Sequence, residues 1–239
     1  PVDMFPQTRH VETISMLTLQ ESRTRVLASS EQHKLTLASG SPRRAQILSD
    51  AGFEFDVAPA EIDEDAFLVD AEDFSRAVQE LALAKAESIA AERSGRYVLG
   101  ADTIVVLDGV VLGKPVSADD AHAMLRSLSG KSHEVITGVA IINPLGESHT
   151  KFVSTSIIFR SLDDDEIANY VSSGSPLDKA GGYGIQDSSF APVASYDECY
   201  LNVVGLPMCA TSELLKESGF LRAEGLSCRR PGQSRMLAL

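Results

Sequence analysis

The chain has 239 residues, 44% of them hydrophobic and 23% charged, a globular mixture that excludes collagen-like, coiled-coil and wholly disordered architectures. With 21 Lys and Arg against 34 Asp and Glu, the formal net charge is −13 at pH 7. Nucleic acid and anionic membrane surfaces are therefore poor partners, and an anionic ligand must be met by locally placed cations or a bound metal.

Residues 1–33 mix charged and apolar side chains at no sustained period and read as an N-terminal extension; 221–239 carry Arg229, Arg230 and Arg235 without an apolar face and read as a C-terminal tail. A single domain is expected over 34–220. No apolar run approaches the roughly 20 residues of a membrane span. Cys199, Cys209 and Cys228 lack CxxC spacing and nearby His, which disfavours zinc and a disulfide framework and makes the cytoplasm the expected compartment.

Between the ends the pattern alternates. Leu35 to Ala38 predicts a strand, followed by a small-residue turn and a helix with Ser41 as N-cap and Pro42 in its first turn, stopped at Gly52. Phe53 to Ala58 predicts a short strand. From Asp70 to about Arg93, Phe74, Val78, Leu81, Lys85 and Ile89 recur at steps of three or four, one face of a helix. Tyr97 to Leu107 reads as a buried strand that Asp108-Gly109 turns into Val110 to Leu112. Ser117 with Asp120 resembles a capping box before a helix closed by Gly130. Strands near Val135 to Ile142 and Phe152 to Phe159, a helix from Asp163 to Ser172, a Gly-rich loop over 174–184, a strand near Tyr200 to Val204 and a helix from Pro207 to Glu217 complete the pattern. The fold class is α/β with a mixed sheet.

Several side chains stand out chemically. Ser39-Gly40-Ser41-Pro42-Arg43-Arg44 places two arginines in a first helical turn, where they oppose the dipole unless a phosphate is bound there; a simple cap with solvated arginines is the alternative. The run Glu61 to Asp65 is either a solvated loop or a source of Mg²⁺ ligands. Asp102, between apolar strand halves, needs a structural partner or a catalytic task. Lys85 either snorkels from its apolar stripe or reaches a buried phosphate. Lys114 follows Gly109-Val110-Val111-Leu112-Gly113, one residue short of a phosphate-binding P-loop, and Pro115 stands where that motif needs Ser or Thr, so a Walker motif is rejected. In Asp178-Lys179-Ala180-Gly181-Gly182-Tyr183-Gly184-Ile185-Gln186 the small residues permit close backbone approach, and Gln186 can both donate and accept along a base edge.

Taken in order, LASGSPRR, IDE, LALAKA, GADTIVV, GKP, SGKSHEVITGVAI, SGSPLDKAGGYGIQ and NVVGLP resemble the Maf family of nucleotide pyrophosphatases over residues 35–218. The resemblance implies an elongated two-lobed mixed sheet flanked by helices around a central cleft, of Maf/ITPase type and often dimeric. It implies hydrolysis of a nucleoside triphosphate to the monophosphate and pyrophosphate with Mg or Mn, by attack of water on the α-phosphorus. By the same resemblance Asp102 is the base, Glu64 and Asp102 hold the metal, and Ser39, Arg43, Arg44, Lys85, Lys114, Thr103 and Gln186 bind substrate, with Arg43, Thr103 and Gln186 at positions tied to substrate choice. The SPRR form resembles the dTTP/UTP branch. A non-catalytic nucleotide-binding regulator of cell division and a house-cleaning enzyme for modified nucleotides are the alternatives. One position departs from the family pattern: Asp187 follows Gln186 where Gly is common, and a carboxylate beside a base could itself read an amino group.

Overall fold

Two long strands, β3 (Tyr97–Leu107) and β5 (Ser132–Ile142), organise the computed structural model, which describes residues 34–69 and 71–220. The segments expected at 1–33 and 221–239, and Asp70, lie outside the described residues. β3 and β5 pair antiparallel, with Asp102 opposite Gly138. On one side β1 (Leu35–Leu37) runs parallel to the start of β3 and to β2 (Phe55–Val57). On the other, β6 (Ser148–Phe159) and β7 (Val193–Tyr196) add antiparallel, giving the order β2-β1-β3-β5-β6-β7 in a seven-stranded sheet. The seventh strand, β4 (Val110–Leu112), folds back on the end of β3. Asp108 and Gly109 both take positive φ in that turn, the backbone a tight two-residue hairpin requires.

The helices are α1 (Pro42–Asp50), the single turn α2 (Asp65–Leu68), α3 (Phe74–Glu92), α4 (Ala118–Leu128), α5 (Asp164–Ser172), α6 (Tyr200–Val204) and α7 (Met208–Glu217), with 3₁₀ turns at Ser175–Asp178 and Ala180–Gly182. α3 starts after Asp73, whose carboxylate accepts from the amides of Ser75 and Arg76. α5 begins with a complete capping box between Asp163 and Glu166. At α4 the Ser117 hydroxyl accepts from the Asp120 amide, but the Asp120 carboxylate takes the amide of Val116 instead of that of Ser117, so the box is only half formed.

The strand expected at Tyr200 to Val204 is a helical turn. Its Asn202 side chain donates to the Val135 carbonyl and to Thr155 Oγ1, so the segment docks across the sheet instead of extending it. Among the described residues the last strand is Val193–Tyr196, which pairs with the end of β6.

Among the described residues β3 and β5 run through four apolar clusters, the two largest of which follow the two halves of β3. One gathers Leu35, Leu37, Leu48, Leu99, Ile141, Leu214 and Leu215 around the first half of β3. The other gathers Val105, Leu125, Leu128, Val135, Phe159 and Ile167 around its second half. Between them, residues 100–104 of β3 lie past the end of β1 and before β4, so that edge carries no strand and the two halves part into a cleft. α3 crosses behind it at very close range: a Cβ on Gly100 would lie 2.1 Å from the Ala82 carbonyl oxygen, and one on Gly138 2.2 Å from that of Val78. Among the described residues no helix is long and apolar enough to cross a membrane.

Candidate active site

Alternation along β3 sends neighbouring residues to opposite faces. Asp102 faces α3, where Lys85 waits one turn beyond Ala82 and Leu81; Thr103 faces α1 and α6. The close approach at Gly100 brings the Lys85 stem to the sheet, and Lys85 Nζ donates to Asp102 Oδ1 at 2.5 Å and to Glu64 Oε1 at 2.6 Å. Only 7% of the Lys85 side chain and 8% of that of Asp102 are exposed. Lys85 is therefore neither a snorkelling lysine nor a surface one.

On the opposite face Arg44 is buried, and burial pushes its guanidinium below the usual range against the pull of Asp102 and Glu64. Nε donates to the Gly205 carbonyl at 2.8 Å, Nη1 to Ser39 Oγ at 2.9 Å and Nη2 to Thr103 Oγ1 at 3.0 Å. Thr103 Oγ1 meets Thr137 Oγ1, and Thr137 donates to the Asn202 carbonyl, which extends a polar network through the sheet interior. Ser39 Oγ also accepts from the Ser41 amide. Ser41 occupies the N-cap position, but its side chain makes no capping bond, and Ser41 to Arg44 line the cleft.

Arg43 sits at the rim, donating to Asp178 Oδ2 at 2.8 Å across 135 residues of chain. Burial raises the Asp178 carboxyl, and the hydrogen bonds and charges of Lys179 and Arg43 more than reverse this, leaving it below its usual range. Glu64 behaves alike: burial pushes it up, but Lys85, Lys114 and Arg44 hold it below the carboxylate range.

The cleft, about 450 Å³, is lined by all nine residues singled out for the site: Ser39, Arg43, Arg44, Glu64, Lys85, Asp102, Thr103, Lys114 and Gln186. Lys179, not foreseen, lines it as well, so five cations face three carboxylates there although the whole chain is strongly acidic. Lys179 is 13% exposed and donates to the Ser175 carbonyl and to Asp178; its one sequence signal is an adjacent charge pair opening the Gly-rich stretch. The Gly181 amide donates to the Gly113 carbonyl, which joins that stretch to the turn bearing Lys114. Asp187 is turned away from the cleft: its Oδ2 accepts from the Tyr170 hydroxyl and from Ser175 Oγ, and Tyr170 stacks on Phe190 with centroids 3.9 Å apart.

The described residues contain no group of three or more His, Cys, Asp or Glu arranged to hold a metal. Glu64 and Asp102 converge on one point through Lys85, with one oxygen each engaged. A pair of carboxylates completed by substrate phosphates is the donor set Mg²⁺ commonly accepts, so the residues fit such an ion.

The Maf-like protein family matches residues 34–218 of the chain. The chain belongs to that family. Among Maf relatives, the dTTP/UTP pyrophosphatase of Geobacter metallireducens is 46% identical over 193 residues, covering 80% of this chain and 99% of that protein. The dTTP/UTP pyrophosphatase of Moorella thermoacetica is 47% identical over 185 residues, covering 76% and 93%. Among solved structures, the Staphylococcus aureus Ham1 protein matches 67% of this chain and 79% of its own at 14% identity, with a TM-score of 0.39.

Proposed function

We propose that this Maf protein hydrolyses nucleoside triphosphates, dTTP and UTP foremost, to the monophosphate and pyrophosphate. The observation that carries the reading is the cluster in which buried Lys85 joins half-exposed Glu64 to buried Asp102, in a cleft lined by Arg43, Arg44, Lys114 and the start of α1. The names of the relatives supply the nucleotide.

The triphosphate lies along the N-terminus of α1, where first-turn amides and guanidinium groups meet its oxygens. Arg44 spends three of its five N–H donors on the protein, which leaves two for phosphate in a fixed orientation. Lys114 approaches from the opposite wall. Lys85, which engages Asp102 Oδ1 in the nucleotide-free protein, turns to the phosphates, and Asp102 Oδ2 takes a proton from the water attacking the α-phosphorus. Glu64 and Asp102 would hold a divalent metal, Mg or Mn, which when bound would supply charge neutralisation at the phosphates and a more acidic water. Gln186 reads the base: its amide donates to a carbonyl and accepts from the N–H of uracil or thymine.

The test is pyrophosphate release from dTTP and UTP with Mg²⁺ or Mn²⁺ and in EDTA. Release that requires the metal supports the reading; phosphate as the product, no release from any triphosphate, or full activity of verified metal-free protein overturns it.

A further inference from the structure

The two carboxylates that fit a divalent ion are already bridged by a side chain of opposite charge. Lys85 Nζ lies 2.6 Å from Glu64 Oε1 and 2.5 Å from Asp102 Oδ1, so one ammonium stands between them. The bridge comes from inside an apolar helix face, flanked by Leu81, Ala82 and Ala86, all with no exposed surface. The charges of Arg44 and Lys114 act on Glu64, and that of Arg44 acts on Asp102 from the other face of the sheet. Lys85 thus already neutralises one of the pair's two charges, and Arg44 and Lys114 line the same cleft, which weakens the hold of the pair on a bare divalent ion.

We propose that Lys85 is an internal stand-in for the metal: without nucleotide its ammonium occupies the carboxylate pair, and a divalent ion enters only together with a triphosphate that draws the lysine away. This rests on the pyrophosphatase reading, which takes the carboxylates as metal-holding and Lys85 as phosphate-facing. The exchange is sound in charge. An arriving triphosphate gives Lys85, Arg44 and Lys114 new anionic partners. A lysine suits the part because it carries a compact charge on a flexible four-carbon stem, whereas an arginine fork is directional and bidentate. Swinging from carboxylate to phosphate oxygen, Lys85 leaves two acceptor oxygens behind for the dication. No covalent bond changes. Metal and nucleotide are then positively coupled, and the coupling must be reciprocal: each raises the affinity of the other by the same factor.

The test reads binding of Mn²⁺ by electron paramagnetic resonance and of a non-hydrolysable UTP analogue by calorimetry, not turnover. Wild-type protein should bind Mn²⁺ roughly tenfold or more tighter with the analogue than without it, and the analogue should gain by the same factor when Mn²⁺ is present. In the nucleotide-free protein Lys85→Met should bind Mn²⁺ roughly tenfold tighter than wild type, because the competing ammonium is gone. Adding Glu64→Gln to Lys85→Met should return the affinity toward wild type, which locates the ion at the carboxylates. Equal Mn²⁺ affinity of wild type with and without analogue overturns the proposal, as does Lys85→Met that is folded and binds no tighter. Should Lys85→Met fail to fold, Lys85→Gln takes its place, with the same expected gain in Mn²⁺ affinity and the same overturning result. Coupled binding in a protein that releases no pyrophosphate overturns the functional reading and keeps the exchange; pyrophosphate release with uncoupled binding does the reverse.

Discussion

Arg44 Nε donates to the carbonyl oxygen of Gly205 at 2.8 Å across 161 residues of sequence, fastening the first turn of α1 to the turn that follows α6. The same guanidinium covers Ser39 Oγ and Thr103 Oγ1. A lysine keeps the charge but cannot span three acceptors in fixed directions, and each buried acceptor left without a donor costs about 1–3 kcal/mol. Arg44→Lys should unfold at lower denaturant concentration and lose on the order of 10²-fold in kcat/KM for dTTP, the scale seen when one pre-oriented donor is removed from a charged transition state. Wild-type values in both measurements would show that the fork is not needed.

Asp102→Asn preserves shape while removing the proton acceptor. Turnover should fall by roughly 10²- to 10⁴-fold. Binding of the UTP analogue should stay measurable, since the cations of α1 and Lys114 remain in place. Single-turnover kinetics beside the binding titration separates the two, and turnover within a few-fold of wild type would remove Asp102 from the role of base.

His133 gives a pH signature separate from that of the cleft carboxylates. It is 3% exposed, its Nε2 pairs with the Tyr183 hydroxyl at 2.7 Å, and burial pushes its pKa down to about 4 from 6.5. Between those values the unfolded chain binds one more proton than the native protein. Stability from this residue is therefore complete above about pH 6.5 and declines as pH falls toward 4, by about 1.4 kcal/mol per pH unit within the window. Denaturant unfolding from pH 7.5 to 4.5 should show this slope in wild type and a shallower one in His133→Gln. Parallel curves for the two proteins would mean that the imidazole is protonated in the native state.

How much of this was legible in the sequence depends on the range of the signal. The hairpin from Tyr97 to Leu112 was, because an apolar run meets Asp108-Gly109, and the conformational demands of that turn are local. Each site residue was legible as a type in a motif. Their partners were not: Lys85 bridging two carboxylates, Arg43 reaching Asp178 and Tyr170 holding Asp187 are pairings across long stretches of chain. The segment Tyr200 to Val204 misled for a different reason. A short apolar, β-branched run has no usable period, and what makes it helical is Cys199 Sγ capping the Asn202 amide and the Asn202 side chain anchoring in the sheet.

Asp187 and Gln186 are adjacent, yet only one of them lines the cleft. Asp187 is committed to Tyr170 and Ser175, whereas Gln186 is an exposed lining residue beside Ile185. Base discrimination should therefore depend on the amide and not on the carboxylate. Uracil and thymine present carbonyl acceptors flanking an N–H, while cytosine presents an amino donor, and at an exposed amide a mismatched edge forfeits hydrogen bonds worth about 0.5–1.5 kcal/mol each. Gln186→Ala should narrow the UTP-to-CTP ratio of kcat/KM chiefly by lowering the UTP value. Asp187→Asn should lower the melting temperature, because it weakens the anchor of the loop on α5, and should leave that ratio within a few-fold. If Asp187→Asn moves the ratio as far as Gln186→Ala does, the carboxylate takes part in reading the base; if wild type prefers CTP or a purine triphosphate, Gln186 does not set specificity in the manner argued.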